Sequence, residues 1–336
     1  MRVIRDLLTD ETRTGRSGIP YVPETPGRGP GADMIGRTAG MLVDMPVDLQ
    51  PSGWRIVDRP GRDQARAQGY LRNDLDELAE AFEGYRGILK LQVAGPWTMA
   101  AELRVHRGER SLVDLGACRD VSASLAEGVK EHLADVRRLL PEAKLVVQLD
   151  EPLLPAVLAG SLPTSSGFGR LRAVDPEEIR RRLSEVVETV RQSLSGGESA
   201  DSADRSPMSA AGEGVLIHCC ADRVPVSLLR QTGADALAVD ISKLDVRGWE
   251  SVAVAVESGI GLWAGVPVPS GAIPTAHALA APVRTAWHEL GLERWLLDHV
   301  VLTPSCGLAG HSPAEATLVH RRLVEAAAEL VEEAER

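Results

Sequence analysis

The sequence predicts an α/β fold of the (β/α)8 TIM-barrel class, as a single domain over residues 1–336. Short apolar runs alternate with longer amphipathic segments, which is the order expected when each parallel strand is followed by a covering helix. A length of 336 residues also suits one barrel, because such barrels routinely exceed about 250 residues. We therefore expect one barrel domain rather than two separate domains.

The predicted strands are short apolar runs bounded by turn residues. They are Gly18–Val22, Ile88–Val93, Leu145–Leu149, Val215–Cys219, Ala236–Val239, Ile260–Trp263 and His299–Thr303. A closed barrel of this class has eight strands. Since seven runs are found, we expect the first strand to be lacking or replaced.

The predicted helices are longer segments in which Leu, Val and Ala recur at helical spacing. They are Asp63–Tyr85, Val121–Leu140, Pro176–Leu194, Ala276–Leu292 and Pro313–Glu333. Residues 195–214, rich in Ser, Gly, Ala and Asp, are predicted as a flexible insertion within the domain. The Gly- and Ser-rich run Ala159–Gly169 is either a lid over the barrel mouth or an ordinary connection.

Composition and charge restrict the kind of partner. Apolar residues make up 44% of the chain, which is enough to build a large core, and the formal net charge is −11. Such acidity argues against a nucleic acid or an anionic membrane surface as partner. The opening residues are too charged for a secretory signal, and no apolar run approaches the length of a membrane span. We expect a cytoplasmic protein with a small-molecule substrate.

The run VLIHCC contains the first candidate metal ligands. Side chains two apart on a strand share a face, so His218 and Cys220 project together while Cys219 points the other way. Imidazole nitrogen and thiolate sulfur are the ligands that zinc prefers. A His and Cys pair of this kind is also compatible with simple core packing.

Further candidate ligands follow two later strands. Cys306 lies after the last predicted strand, in LTPSCGL, where the carboxyl end of a barrel strand faces the mouth. Asp240 ends the intervening strand, in DALAVDIS, and its alternative role is that of a helix N-cap. His218, Cys220, Asp240 and Cys306 are therefore predicted as one zinc site.

Acidic and glycine-containing turns mark two other strand ends. Asp150 and Glu151 follow a strand, where an acid can bind a substrate ammonium or move a proton, although Glu151 is also suited to capping a helix that begins at Pro152. Gly95 and Thr98, in AGPWT, either bring backbone close to a ligand or form the turn that starts a helix. Asp150 is our candidate catalytic acid, and Gly95 and Thr98 are candidate substrate contacts.

Taken in order, GPWT, QLDEP, HCC, AVD and PSCGL resemble the catalytic domain of cobalamin-independent methionine synthase, within the superfamily shared with uroporphyrinogen decarboxylase. The resemblance implies that His218, Cys220 and Cys306 bind zinc, with Asp240 where the family has Glu. It further implies that Asp150 binds the amino group of homocysteine.

The same resemblance places Glu24, in PYVPETPGRGPGADM, at the acid of the family's HGE element, as a second contact to the substrate. It also reveals three departures from the family. Nothing corresponds to the additional amino-terminal half, and the first strand with its GSFP-type loop has no counterpart, so we expect a truncated start or a differently closed barrel. The stretch Trp263–Ser270 contains no His where the family has its proton donor.

These features predict a zinc-dependent methyltransferase that forms methionine from homocysteine. The methyl donor is 5-methyltetrahydrofolate or methylcobalamin, the latter free or on a corrinoid protein. The missing His and missing half remove features that the resemblance links to folate. Two alternatives are a non-catalytic zinc-binding paralogue, and a uroporphyrinogen decarboxylase-like enzyme, for which the predicted mouth contains almost no arginine.

Overall fold

The structure is a computed structural model that describes residues 1–12, 14–15, 17–106, 108–195 and 212–336. The predicted flexible insertion at 195–214 therefore lies almost entirely outside the described residues, and its flexibility stays a prediction. The remainder forms an α/β fold built around one parallel sheet.

The elements alternate as the sequence predicts. The α-helices are α1 Arg2–Thr9, α2 Met34–Met41, α3 Arg62–Ala81, α4 Pro96–Glu102, α5 Leu115–Leu139, α6 Leu154–Ala159, α7 Pro176–Leu194, α8 Val226–Leu229, α9 Val246–Glu257, α10 Ala276–Leu290 and α11 Pro313–Ala334. The strands are β1 Val47–Gln50, β2 Gly53–Ile56, β3 Ile88–Ala94, β4 Lys144–Asp150, β5 Gly214–Cys219, β6 Ala236–Asp240, β7 Gly261–Val266 and β8 Val300–Pro304. Five predicted helices and six predicted strands are thus confirmed, with small changes at their ends.

The main sheet is six-stranded and parallel, in the order β3-β4-β5-β6-β7-β8. Each strand is joined to the next by a segment containing at least one helix, which is the repeating unit of barrel folds. The prediction of a TIM-barrel-like fold is confirmed in this coarser form, as a partial barrel. The described residues do not form eight hydrogen-bonded barrel strands.

The predicted strand Gly18–Val22 forms only a short parallel pairing with β3. Tyr21 pairs with Lys90, since Val22 N donates to Lys90 O at 3.2 Å and Lys90 N donates to Pro20 O at 2.8 Å. We call residues 18–22 the edge segment. It extends the sheet beyond β3 by one short, incompletely bonded stretch.

Apolar side chains on one face of the sheet form a separate inner cluster. Its buried members are Val146, Leu216, Ala236, Ala238 and Trp263. Ile19 from the edge segment and Val301 from β8 both pack against this cluster. Because these two residues belong to opposite edges of the sheet, the sheet must curl so that its edges share one interior.

Helix α11 contacts the open side between the two edges of the sheet. The Tyr21 ring stacks on His320 of α11 with centroids 5.7 Å apart, and the Tyr21 hydroxyl lies 3.1 Å from His320 Nε2. His320 Nδ1 lies 2.6 Å from Ala316 O, so Nδ1 is the donor and Nε2 accepts from the hydroxyl. Side-chain contacts to a helix thus replace strand pairing at this position.

The antiparallel hairpin β1–β2 was not predicted from the sequence. Its strands have only four residues each and contain Asp48, Gln50 and Arg55, so no apolar run marks them. Trp54 is nevertheless buried, and β1 packs against α3. The hairpin also pairs through Arg55 with Arg104, in the segment that follows α4.

Six of the described helices, α2, α5, α7, α9, α10 and α11, begin at a side-chain cap. The capping residues are Asp33, Asp114, Asp175, Asp245, Thr275 and Ser312. Asp114 explains why α5 begins six residues before the predicted start at Val121, since its carboxylate accepts from Gly116 N. Among the described helices, none combines the length and apolar character needed to cross a membrane.

Replacing either of two helical glycines by alanine is expected to change the free energy of unfolding, in opposite directions for the two positions. A Cβ on Gly128 of α5 would lie 2.1 Å from Met41 O, whereas a Cβ on Gly69 of α3 would meet only Arg72 Nη2 at 3.9 Å. Gly128→Ala should therefore lower the free energy of unfolding by roughly 3 kcal/mol through overpacking. Gly69→Ala should raise it by up to about 1 kcal/mol through helix propensity. Urea denaturation checks both values. An unchanged free energy of unfolding in Gly128→Ala would contradict the close approach of α2 to α5.

Candidate active site

The carboxyl ends of the parallel strands bring several candidate residues together. Asp150 ends β4 and pairs with His218 of β5, and their closest side-chain atoms, Asp150 Oδ1 and His218 Nδ1, are 3.4 Å apart. Cys219 packs in the main core with no exposed surface, while Cys220 is partly exposed just after the strand. The alternation of side chains along β5 therefore separates the two neighbouring thiols.

The charge state of this pair follows from its burial. Burial raises the pKa of Asp150 to about 6, although the Lys90 ammonium and a hydrogen bond from Gln148 lower it. Burial also lowers the pKa of His218 to about 3, and the Lys90 charge lowers it further. The imidazole is therefore neutral at pH 7, as a metal ligand must be.

Glu24 lies close enough to Asp150 for the two charges to interact. Burial raises the pKa of Glu24 to about 7, the buried Arg37 lowers it, and the Asp150 charge raises it again. Gln92 hydrogen-bonds the Glu24 side chain and also donates to Val22 O at 2.6 Å, which ties the edge segment to β3. The structure thus brings together Glu24 and Asp150, which the sequence separates by more than a hundred residues.

The thiols of Cys220, just after β5, and Cys306, just after β8, lie close enough for their charges to interact. A hydrogen bond from the Cys220 thiol lowers the pKa of Cys306 to about 6 and raises that of Cys220. The Asp150 charge also acts on Cys306. The thiol pair and the acid therefore lie at the same end of the sheet.

Asp240 caps the short turn that follows β6. Its Oδ1 accepts from Ser242 N at 3.1 Å and from Ser242 Oγ at 2.6 Å, and its Oδ2 is 3.8 Å from Lys243 Nζ. Lys243 also donates to Cys220 O at 2.6 Å, which links the ends of β5 and β6. These contacts fit the capping alternative, while the Asp240 charge still acts on His218. A ligand role for Asp240 stays a prediction.

The chemistry of the donor set fits zinc. Two thiols in mutual contact and a neutral imidazole are nitrogen and sulfur donors of the type zinc binds. Both ring-nitrogen contacts of His218 within the described residues involve Nδ1, which leaves Nε2 as the nitrogen to bind a metal. In the described part of the chain, no three His, Cys, Asp or Glu side chains converge as a ready-made metal cluster. The zinc site therefore stays a prediction based on donor chemistry.

Glu151 is structural and caps a helix other than the predicted one. Its Oε1 accepts from Trp97 N at 2.9 Å, and its Oε2 accepts from Thr98 N and Thr98 Oγ1, both at 2.8 Å. The capped helix is thus α4, which starts at Pro96, and not a helix that starts at Pro152. A Cβ on Gly95 would lie 2.5 Å from Glu151 Oε1, so the absence of a side chain at Gly95 makes room for this carboxylate.

Thr98 is fully buried, and its hydroxyl is already donated to Glu151. This arrangement fits the helix-start alternative for the AGPWT turn. The predicted contacts of Gly95 and Thr98 with substrate stay predictions.

Replacing Glu151 is expected to destabilise the fold. Glu151→Ala leaves two buried N–H groups of α4 without an acceptor and opens a cavity, which should cost about 3 kcal/mol or more. The exposed Glu250→Ala on α9 is the control and should change stability by less than about 0.5 kcal/mol. Urea denaturation measures both, and equal stability of the two variants would refute the capping role of Glu151.

The predicted lid or connection at Ala159–Gly169 is held to a neighbouring loop. Ser165 Oγ donates to Gly108 O at 2.7 Å, and Ser165 N donates to Glu109 Oε2 at 2.9 Å. Phe168 at its tip is fully exposed. These bonds tie the loop to the segment between α4 and α5 and favour the reading as an ordinary connection.

Several polar residues of the site were missed from the sequence. Lys90 and Gln92 alternate with apolar residues on β3, and Gln148 stands two positions before Asp150 on β4. This alternation could have identified them, because side chains two positions apart on a strand lie on the same face, here the face that carries Asp150. Arg37 on α2 carries no such signal, since its burial depends on how α2 packs.

The fold and the site together define a class of protein: a barrel-like α/β protein with acids, an imidazole and two thiols at the carboxyl ends of its parallel strands. Residues 198–329 match the family described as cobalamin-independent synthase, catalytic domain. The predicted resemblance to this family is thereby confirmed over a segment that contains His218, Cys220, Asp240 and Cys306.

A solved structure supports the same fold over more of the chain. The chain is similar to a B12-independent methionine synthase from Shewanella sp. W3-18-1, solved in complex with selenomethionine, with 13% identity and a TM-score of 0.51. The similarity covers 84% of this chain and 71% of that one. No curated protein sequence matches the chain. Both matches are described as independent of cobalamin, so neither supports a corrinoid donor.

Proposed function

We propose that this protein is a zinc-dependent S-methyltransferase that forms methionine by transferring a methyl group to homocysteine. The observation that carries the proposal is the pairing of Asp150 with His218, 3.4 Å apart at the strand ends, beside which the Cys220 and Cys306 thiols interact. The match of residues 198–329 to the cobalamin-independent synthase family supports the same reaction.

The acids would bind the amino group of the substrate. Glu24 lies close enough to Asp150 that the Asp150 charge raises the pKa of Glu24. A substrate ammonium between them relieves this repulsion and supplies the counter-charge that a buried carboxylate needs. Binding there would point the thiol of homocysteine towards Cys220 and Cys306.

Homocysteine reacts as a thiolate, and a free thiol has a pKa of roughly 8.5. Zinc bound at His218, Cys220 and Cys306 would favour the thiolate at neutral pH and keep it nucleophilic. The neutral imidazole of His218 and the lowered pKa of Cys306 put these side chains in states that suit metal binding.

We propose 5-methyltetrahydrofolate as the methyl donor, and homocysteine and this folate as the partners of the site. The substrate sulfur forms a bond to the methyl carbon while the carbon–nitrogen bond of the donor breaks, and the leaving nitrogen takes the electron pair and then a proton. The segment Trp263–Ser270 offers no His for that proton. We therefore expect slower turnover with folate than in an enzyme that carries a proton-donating side chain there.

A methyl-transfer assay tests the function directly. Purified full-length protein with zinc, given L-homocysteine and 5-methyltetrahydrofolate, should form methionine, and methylcobalamin in a parallel reaction tests the corrinoid donor. Zinc-free protein is the negative control. Failure to form methionine with either donor, from protein that carries about one zinc per chain, would refute the proposed function.

A further inference from the structure

Lys90 is a partly buried ammonium on the inner face of the barrel, and the proposed reaction gives it no role. It extends from β3, where neighbouring side chains on the same face are Ile88 and Gln92. Its charge interacts with Glu24 and Asp150, which raise its pKa against the lowering effect of burial. Its Nζ lies 5.5 Å from the centre of the Tyr21 ring. Lys90 is therefore a counter-ion for both acids.

Lys90 determines which way the Gln148 amide points. Lys90 Nζ lies 2.9 Å from Gln148 Oε1, and an ammonium can only donate, so the contacted atom must be the amide oxygen. The amide nitrogen of Gln148 consequently faces the carboxyl ends of the strands. The Asp150 carboxylate, which can only accept, favours the same orientation of the amide from the other side.

The oriented amide contacts both members of the acid–imidazole pair. Gln148 Nε2 donates to Asp150 Oδ1 at 2.7 Å and lies 3.4 Å from His218 Nδ1. A flipped amide would put its oxygen against the Asp150 carboxylate and lose this bond. Asp150 Oδ1 is thus held beside His218 Nδ1, where it can accept the proton of that nitrogen while Nε2 binds a metal.

We propose that Lys90 and Gln148 are positioning residues: the Lys90 ammonium fixes the Gln148 amide, which holds Asp150 and His218 in the orientation that binds substrate and metal. This inference rests on the proposed function for its effect on homocysteine. Its first two steps, from Lys90 to Gln148 and from Gln148 to Asp150, concern the protein alone.

Two substitutions separate the steps. Lys90→Met keeps the aliphatic chain and removes the ammonium, so that only the bond to Asp150 holds the amide and its side chain becomes more mobile. Gln148→Glu keeps an acceptor for Lys90 and replaces the amide nitrogen with an oxygen that repels Asp150, so this variant retains a paired Lys90 and is expected to fold. Lys130→Met, at an exposed position on α5, is the matched control.

Three measurements test the proposal on purified full-length protein. In zinc-free protein, hydrogen exchange of the Gln148 side-chain NH2, followed by NMR, should be at least about tenfold faster in Lys90→Met than in wild type. Zinc affinity, measured by competition with a chromophoric chelator, should fall about tenfold or more in Lys90→Met and Gln148→Glu. The KM for L-homocysteine should rise in both by a larger factor than kcat falls.

The outcomes distinguish this proposal from the proposed function. Unchanged zinc affinity and unchanged KM in folded Gln148→Glu would overturn the positioning role, as would an unchanged Gln148 exchange rate in Lys90→Met. If wild type binds zinc but forms no methionine, the proposed function fails, while the exchange and zinc measurements still decide the role of Lys90. Lys130→Met should match wild type in all three measurements.

Discussion

Cys306→Ala is expected to reduce bound zinc from about one ion per chain to a small fraction of that, because a tetrahedral site that loses one of its thiolates loses much of its affinity. Cys306 is the proposed ligand from the loop after β8, while Cys220 follows β5, so the ion would join two distant parts of the barrel. Methionine formation should fall by more than about a hundredfold, since the substrate thiol would return to its ordinary pKa.

The double variant His218→Ala, Cys306→Ala tests whether the two side chains bind the same zinc ion. It removes one nitrogen and one sulfur donor from different strand ends and should leave no measurable zinc. Because the two side chains would act on one ion, their combined effect on activity should be far from additive, and the double variant should be about as inactive as either single variant. Zinc is measured by inductively coupled plasma mass spectrometry after gel filtration.

Cys219→Ala is the matched control for this prediction. Cys219 is adjacent to Cys220 in the chain but packs in the main core, so its removal costs packing and leaves the thiol pair intact. We expect a lower melting temperature and unchanged zinc content. Full zinc retention by the double variant, or loss of zinc from Cys219→Ala alone, would show that the ligands have been assigned wrongly.

The parts of the fold that were predictable share one physical cause. Strands β4 to β7 are buried almost throughout on both faces, so they appear in sequence as mainly apolar runs such as GLWAGV. The hairpin β1–β2 escaped prediction because its stability comes from packing on α3 and from a single buried Trp54, which leaves no periodic pattern. The edge segment was predicted as a strand from its composition, but it pairs with β3 at one position only.

The part of the site that depends on strand direction was predictable from the sequence. Successive side chains along β5 point to opposite faces, which distinguishes Cys220 from Cys219. The ends of the paired strands β4 and β5 bring Asp150 and His218 side by side. The capping of α4 by Glu151 was not predictable, because Thr98 and Glu151, which form one of the capping bonds, lie 53 positions apart in the sequence. The Lys90 to Gln148 contact likewise depends on the register between β3 and β4, which a single sequence does not contain.

Asp150→Asn is expected to lower kcat/KM for homocysteine by about a hundredfold or more, mainly through a higher KM. Removing one partner of a buried charge pair typically costs 2–5 kcal/mol, or roughly 30- to 4000-fold. Asn keeps the size of the side chain and an acceptor for Gln148, so the barrel should remain folded. Asp235→Asn, at the opposite end of the sheet before β6, is the control and should leave the KM for homocysteine unchanged.

A substrate analogue distinguishes the two roles that an acid at Asp150 can have. The analogue 4-mercaptobutanoate is homocysteine without its amino group, so wild type should use it as poorly as Asp150→Asn uses homocysteine. If Asp150 binds the ammonium, Asp150→Asn should lose little further activity with the analogue, because the interaction has already been removed from the substrate side. If Asp150 instead moves a proton during the reaction, the variant should lose the same factor with both substrates. An equal loss with both would therefore exclude ammonium binding as the role of Asp150 and leave acid–base chemistry as the reason for its place beside His218.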